Sequence, residues 1–235
     1  MPSKPREEKL VEDVNVESFR KAGSRKALTP MPNETARVEA FSDGVFAIAI
    51  TLLILDLKVP SPAAGSLGRA LVRQWPTYLA FLISFAFIGI MWVNHHRLFN
   101  HIRRSDNTLL FTNLLLLLGV SIVPFPTSLL AAHYYSPGRI IAAAVFNGTF
   151  VVLAIFFNVL WHHVLRAELL DATTRESAAA ISKQYAIGPV AYFVCFAMTW
   201  VSVPASLALN IGLAIFFALP AKREKRSFQM HGATK

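Results

Sequence analysis

Arg37, Glu39, Ser42 and Asp43 open a stretch that is otherwise apolar as far as Leu57, with Asp56 at its far end. A second polar set, Trp92, Asn94, His95 and His96, closes the apolar stretch that begins at Thr77. Carboxylates beside imidazoles can share or move a proton, because histidine titrates near neutral pH. The same groups can instead be a satisfied polar cluster that fixes packing. If both stretches are helices running antiparallel, their polar ends lie at similar depth. Asp43 then sits about 9 Å further in than Arg37, at about 1.5 Å per residue. It needs donors from the protein interior; Trp92, Asn94, His95 and His96 are the candidates, and the expected network joins Arg37, Ser42 and Asp43 to one or both of His95 and His96.

The elements that must position these groups follow from composition. Of 235 residues, 54% are hydrophobic and only 16% charged, against about 25% charged in soluble domains. Mean hydropathy is +0.46. A single cysteine excludes a disulfide scaffold and a cysteine-based metal cluster. Residues 1–35 differ from the rest: seven basic and six acidic side chains are mixed there with no apolar run. That segment reads as a solvated, disordered cytoplasmic tail without a secretory signal.

Six apolar runs follow, 37–57, 77–96, 107–130, 140–161, 185–203 and 205–219. Each is near the length that crosses about 30 Å of hydrocarbon. They are continuously apolar rather than alternating, which favours helices over a barrel. The expectation is an all-α integral membrane protein with a six-helix domain over residues 36–221. A basic cytoplasmic tail over 222–235 completes the chain. Arg97, Arg103, Arg104, Arg166, Arg175 and Lys183 share one side with Lys222, Arg223, Lys225 and Arg226. That basic excess places both termini in the cytoplasm. The formal charge of +9 is therefore mostly a topology signal, and no basic soluble face is left for nucleic acid.

Around the first helix, Phe41, Gly44, Ile48, Thr51 and Leu55 fall on one stripe at 3.6 residues per turn. Asp43 points about 140° away from Ile48. Periodicity alone leaves this stripe facing lipid, a dry helix interface or something else.

The run Arg37-Val-Glu-Ala-Phe41-Ser42-Asp43-Gly44, with Ala47 to Leu53 after it, resembles the signature of the transmembrane protein 175 family. These are endosomal and lysosomal potassium channels and their bacterial relatives. Phe87-Ile88-Gly89, Trp92, Asn94-His95-His96-Arg97-Leu98-Phe99, Asn113-Leu114-Leu115 and Pro124-Phe125 also resemble it, over residues 37–220. The resemblance implies six helices per chain and, since the motif occurs once, a homotetramer of the prokaryotic type. It implies a potassium channel with no TVGYG filter, in which four first helices line the pore. Three narrowing layers then map onto Ile48, Thr51 and Leu55. No cofactor is implied, only permeant K⁺ near Ile48 and Thr51. Phe41, Gly44, Trp92 and Asn94 join the structural motif network. An isoleucine ring would gate by dewetting, and K⁺ sheds water more cheaply than Na⁺. Asp56 is a candidate for excluding anions at the mouth.

Rival readings are weaker. A secondary transporter would show internal repeats and broken helices at mid-membrane, and the two halves share no motif. A scaffold or lipid-interacting protein without transport is the other alternative. Adjacent histidines diverge by about 100° on a helix, so neither His95/His96 nor His162/His163 offers a pair to one metal. No catalytic triad, metalloprotease motif or phosphate-binding loop occurs, so no enzyme is expected.

Overall fold

The computed structural model describes residues 34–61, 65–102, 104–170 and 172–218. The polar tail assigned to 1–35 and the basic tail at 222–235 therefore lie outside the described residues, apart from Glu34 and Thr35. Helix α1 spans Glu34–Leu52 and tightens into a 3-10 turn, Leu53–Asp56. The others are α2 Leu67–Arg73, α3 Trp75–His101, α4 Asn107–Ile122, α5 Pro124–His133, α6 Arg139–Arg166, α7 Ala172–Met198 and α8 Val203–Ala218.

Four segments have the length and composition to cross a membrane: Thr35–Asp56, Trp75–His101, Asn107–His133 and Arg139–Arg166. The third is α4 and α5 end to end. Pro124 opens α5 at a position where a missing N–H costs little, so the run at 107–130 bends without stopping. Helix α8 has 16 residues, about 24 Å at 1.5 Å per residue, short of about 30 Å. Helix α7 differs from the expected run at 185–203. It starts at Ala172, thirteen residues earlier, across a segment whose charges had suggested a loop. Alanines 178 to 180 supply helix propensity there. Helix α2 was not foreseen either, since seven residues give too little periodicity to read.

Helix α1 packs on α3 and α4; α3 packs on α5, and α4 and α5 pack on α6; α7 and α8 close the far side against α6 and α3. Aromatic side chains fill the centre. Phe87 stacks on Phe150 with ring centroids 4.3 Å apart, and Phe146 meets Phe150 edge-on at 5.0 Å. Helices α4 and α6 approach closely at Gly119, where an added Cβ would lie 2.6 Å from Leu153 Cδ2. A buried polar knot ties α6, α7 and α8 together. Asn147 Nδ2 donates to Thr199 Oγ1 at 2.8 Å, and Asn210 Nδ2 donates to Asn147 Oδ1 at 2.6 Å. Such bonds act as glue where lipid removes the hydrophobic drive between helices.

Candidate functional site: the first helix and its polar anchor

Helix α1 has two unlike faces. Ser42, Phe46, Ala49 and Leu53 recur at helical spacing, and all are buried. They hold α1 against α3 and α4. The opposite stripe is bare: Ile48 is 61% exposed, Leu55 69% and Phe41 58%, with Gly44 and Thr51 exposed between them. Thr51 donates its hydroxyl to the Ile48 carbonyl at 2.9 Å. The donor is thereby spent on the helix, while the oxygen keeps acceptor capacity on the exposed face.

The polar groups at the Arg37 end of α1 form three separate links rather than one network. In the buried link, Asn113 on α4 donates Nδ2 to Ser42 Oγ at 3.0 Å, while Ser42 donates to the Val38 carbonyl at 2.8 Å. Asn113 Oδ1 lies 2.8 Å from His95 Nε2. His95 is fully buried, packed between Phe46 and Phe99. An Asn carbonyl only accepts, so Nε2 carries the proton. In the second link, Trp92 Nε1 donates to Asp43 Oδ1 at 2.8 Å. In the third, His96 Nδ1 meets Glu39 Oε1 at 2.6 Å, with the His96 ring stacked on Trp92.

These links correct the expected one in three ways. The donor to Asp43 is the Trp92 indole, not an imidazole. The phase of α3 turns Trp92 toward α1 at that depth and turns His95 inward to α4. Arg37 is exposed and takes no part in the bonds among the described residues. Asn94 points the other way, into a cavity of about 60 Å³ that it lines with Asn158, Tyr185 and Tyr192. Two groups were missed as members, Glu39 and Asn113. Glu39 lies one turn before Asp43, near the start of α1, where depth alone does not call for a partner. Asn113 raised no alarm because it is uncharged, although an amide inside a leucine run is itself a signal.

At the outer end, Asp56 is half-buried and accepts a hydrogen bond from Ser128 of α5, which fastens the 3-10 turn to its neighbour. It is therefore not a free carboxylate at the mouth. At the end of the bundle that holds Arg37, Asp106 caps α4, accepting from the Leu109 N–H at 2.6 Å, and His163 at the end of α6 lies 2.9 Å from the same carboxylate. Burial pushes the Asp106 carboxyl up, yet the Leu109 N–H and His163 together hold it below the usual carboxylate range. His162 bonds only its own helix, 2.7 Å from the Asn158 carbonyl.

A bundle of apolar helices with an anchored helix baring one apolar stripe is the form of an integral membrane channel subunit. The comparisons agree. The family described as endosomal/lysosomal potassium channel TMEM175 matches residues 37–124. A potassium channel from Chamaesiphon minutus is 49% identical over 195 residues, covering 81% of this chain and 96% of that protein. The endosomal/lysosomal proton channel TMEM175 of Mus musculus is 34% identical over 183 residues, 72% of this chain and 37% of its own length. A crystal structure of the Chamaesiphon minutus lysosomal potassium-selective channel TMEM175 homolog superposes with TM-score 0.73, covering 79% of this chain and 96% of that one. The chain belongs to the TMEM175 family.

Proposed function

We propose that this protein is a passive, potassium-preferring cation channel, with α1 of four identical subunits lining one pore. The observation that carries the reading is the exposed stripe Phe41, Gly44, Ile48, Thr51 and Leu55 on a helix whose other face is fastened by buried bonds. Four such stripes around an axis give a ring of Ile48 side chains as the constriction. A Thr51 layer lies one turn outward, and a Leu55 layer lies beyond it. The isoleucine ring offers no oxygens, so it passes ions by partial dewetting. The ion that loses water most cheaply is favoured, which sets K⁺ above Na⁺. Thr51 oxygens replace part of the lost shell. The relative at 49% identity is named a potassium channel and the mouse relative at 34% a proton channel, so K⁺ is the first cation to test.

In this reading each chain crosses the membrane six times, with α7 and α8 as the last two spans and both termini cytoplasmic. No cofactor takes part, K⁺ is the cargo, and no chemical step is catalysed. The cluster of Ser42, Asn113, His95, Asp43 and Trp92 sets the position of α1 and stays out of the ion path.

The test is a bi-ionic reversal potential on purified protein in planar bilayers, K⁺ against Na⁺. Reversal displaced toward the K⁺ equilibrium potential is expected, and Ile48→Asn should raise current and shrink that displacement. Conduction and selectivity unchanged in Ile48→Asn would remove Ile48 as the constriction. Flux that saturates and follows a proton or sodium gradient would replace the channel by a transporter.

A further inference from the structure

Helix α2 is the element that the subunit itself does least to hold. It has seven residues, Leu67–Arg73, and none of them is buried. A helix shorter than about 12–15 residues is marginal in water on its own, so α2 draws stability from something outside the subunit. At about 100° per residue, Leu67 and Leu71 share one edge of the helix, and Arg69 and Arg73 share an edge about 160° away. A short helix with a leucine edge and an arginine edge suits the plane of a membrane–water boundary.

The neighbourhood of α2 carries the same two chemistries. Trp75, two residues beyond Arg73, meets the Tyr134 ring edge-on at 5.0 Å, and Tyr134 meets Tyr135 at 5.3 Å. Trp75 and Tyr135 are exposed, and such rings gather where apolar and wet layers meet. Arg139, at the start of α6, is close enough to Tyr134 to act on its hydroxyl. Burial raises that group above its ordinary value, and the Arg139 charge works against the rise. Lys58, Arg69, Arg73 and Arg139 are all exposed at this end of the bundle. Among the described residues none of the four meets a carboxylate, and the acid nearby, Asp56, is taken by Ser128. In the orientation proposed above, this end lies away from the cytoplasm, where topology calls for few cations. Topology therefore does not account for these four.

We propose that the patch of Arg73, Trp75, Tyr134 and Arg139 seats the headgroup of an anionic phospholipid, with the phosphate on the two guanidiniums and the acyl chains beside the leucine edge of α2. Charge selects this occupant. Guanidiniums with no carboxylate partner bind phosphate through charge-assisted hydrogen bonds. A zwitterionic headgroup would bring its own ammonium among the arginines, whereas an anionic one brings only the countercharge. Leu67 and Leu71 favour a lipid over free phosphate, since only the lipid covers them.

The test uses the full chain in vesicles, with Cys195→Ala and a bimane label on Leu71→Cys. Brominated phosphatidylglycerol and brominated phosphatidylcholine are compared as quenchers. An arginine near an anionic surface is worth about a fivefold gain in binding, so the anionic lipid should quench at about a fivefold lower mole fraction. Arg73→Gln with Arg139→Gln should bring the two lipids to parity. Arg73→Lys with Arg139→Lys should keep most of the preference, and so should Arg166→Gln at the other end of the bundle. Equal quenching by both lipids without the glutamines, or a preference that survives them, overturns the proposal. Absence of quenching by either lipid also overturns it and places α2 in water. A preference abolished by inorganic phosphate, but not by chloride at the same ionic strength, assigns the patch to the free ion instead.

Discussion

Ser42 and Asn113 stand 71 positions apart in the chain, yet the amide of one donates to the hydroxyl of the other at 3.0 Å in a fully buried setting. That bond, continued to His95, ties α1 to both helices beneath it. Asn113→Leu keeps the volume and removes both links, leaving the Nε2–H of His95 without its acceptor. An orphaned buried polar group costs about 1–3 kcal/mol, which should show as a lowered midpoint of thermal unfolding in detergent. A midpoint equal to wild type would make the link dispensable.

Thr51 is expected to act on selectivity and not on folding. Its side chain is exposed, and its one bond returns to the Ile48 carbonyl of its own helix. Thr51→Ala should therefore express and assemble normally while its K⁺/Na⁺ permeability ratio falls. An unchanged ratio would reduce Thr51 to a helix-surface residue.

Gly119 allows α4 and α6 to touch. An alanine methyl there would press on Leu153, which is itself buried on all sides. Overpacking of this kind costs about 1–3 kcal/mol, against about 1 kcal/mol gained from helix propensity. Gly119→Ala should lose net stability in a chemical unfolding titration. In a Leu153→Ala background, which makes room, Gly119→Ala should cost less than it does in the wild type, a coupling that a double-mutant cycle reads directly.

Asp106 gives the junction of α4 and α6 an acid limit. Its carboxyl is held below the usual range in the folded chain, where the Leu109 N–H and His163 outweigh the effect of burial. A group with a depressed folded value stabilises the fold above its unfolded value of about 3.9. That contribution is lost as pH falls through the lowered folded value. Stability measured downward from pH 5 should therefore drop for the wild type and drop less for Asp106→Asn, whose amide oxygen can still cap α4.

Much of this architecture was legible because lipid imposes strict rules on a chain. A carboxylate in an apolar run calls for a donor from the protein, so Asp43 announced a partner near the end of the second run; that partner, Trp92, is itself exposed in the subunit. Which partner it takes depends on the rotation of α3 about its axis, and periodicity within one helix carries no information on that. Of the candidate donors, Trp92 is the one that reaches Asp43, while His95 turns to Asn113. Asn113 lay hidden because an uncharged amide costs less in lipid than a carboxylate. The early start of α7 was hidden by charges that a helix tolerates outside the hydrocarbon layer.

The two-faced build of α1 also bears on how such proteins can change. Ile48, Thr51 and Leu55 project from the face opposite the buried anchors of α1, and none of them belongs to the packed core of the subunit. Substitutions at these three positions leave each subunit's interior as it was. A combinatorial library confined to them would vary the exposed stripe of α1, the surface proposed to face the ion, on a constant scaffold. Permeation could then drift or be redesigned without first accumulating stabilising mutations elsewhere.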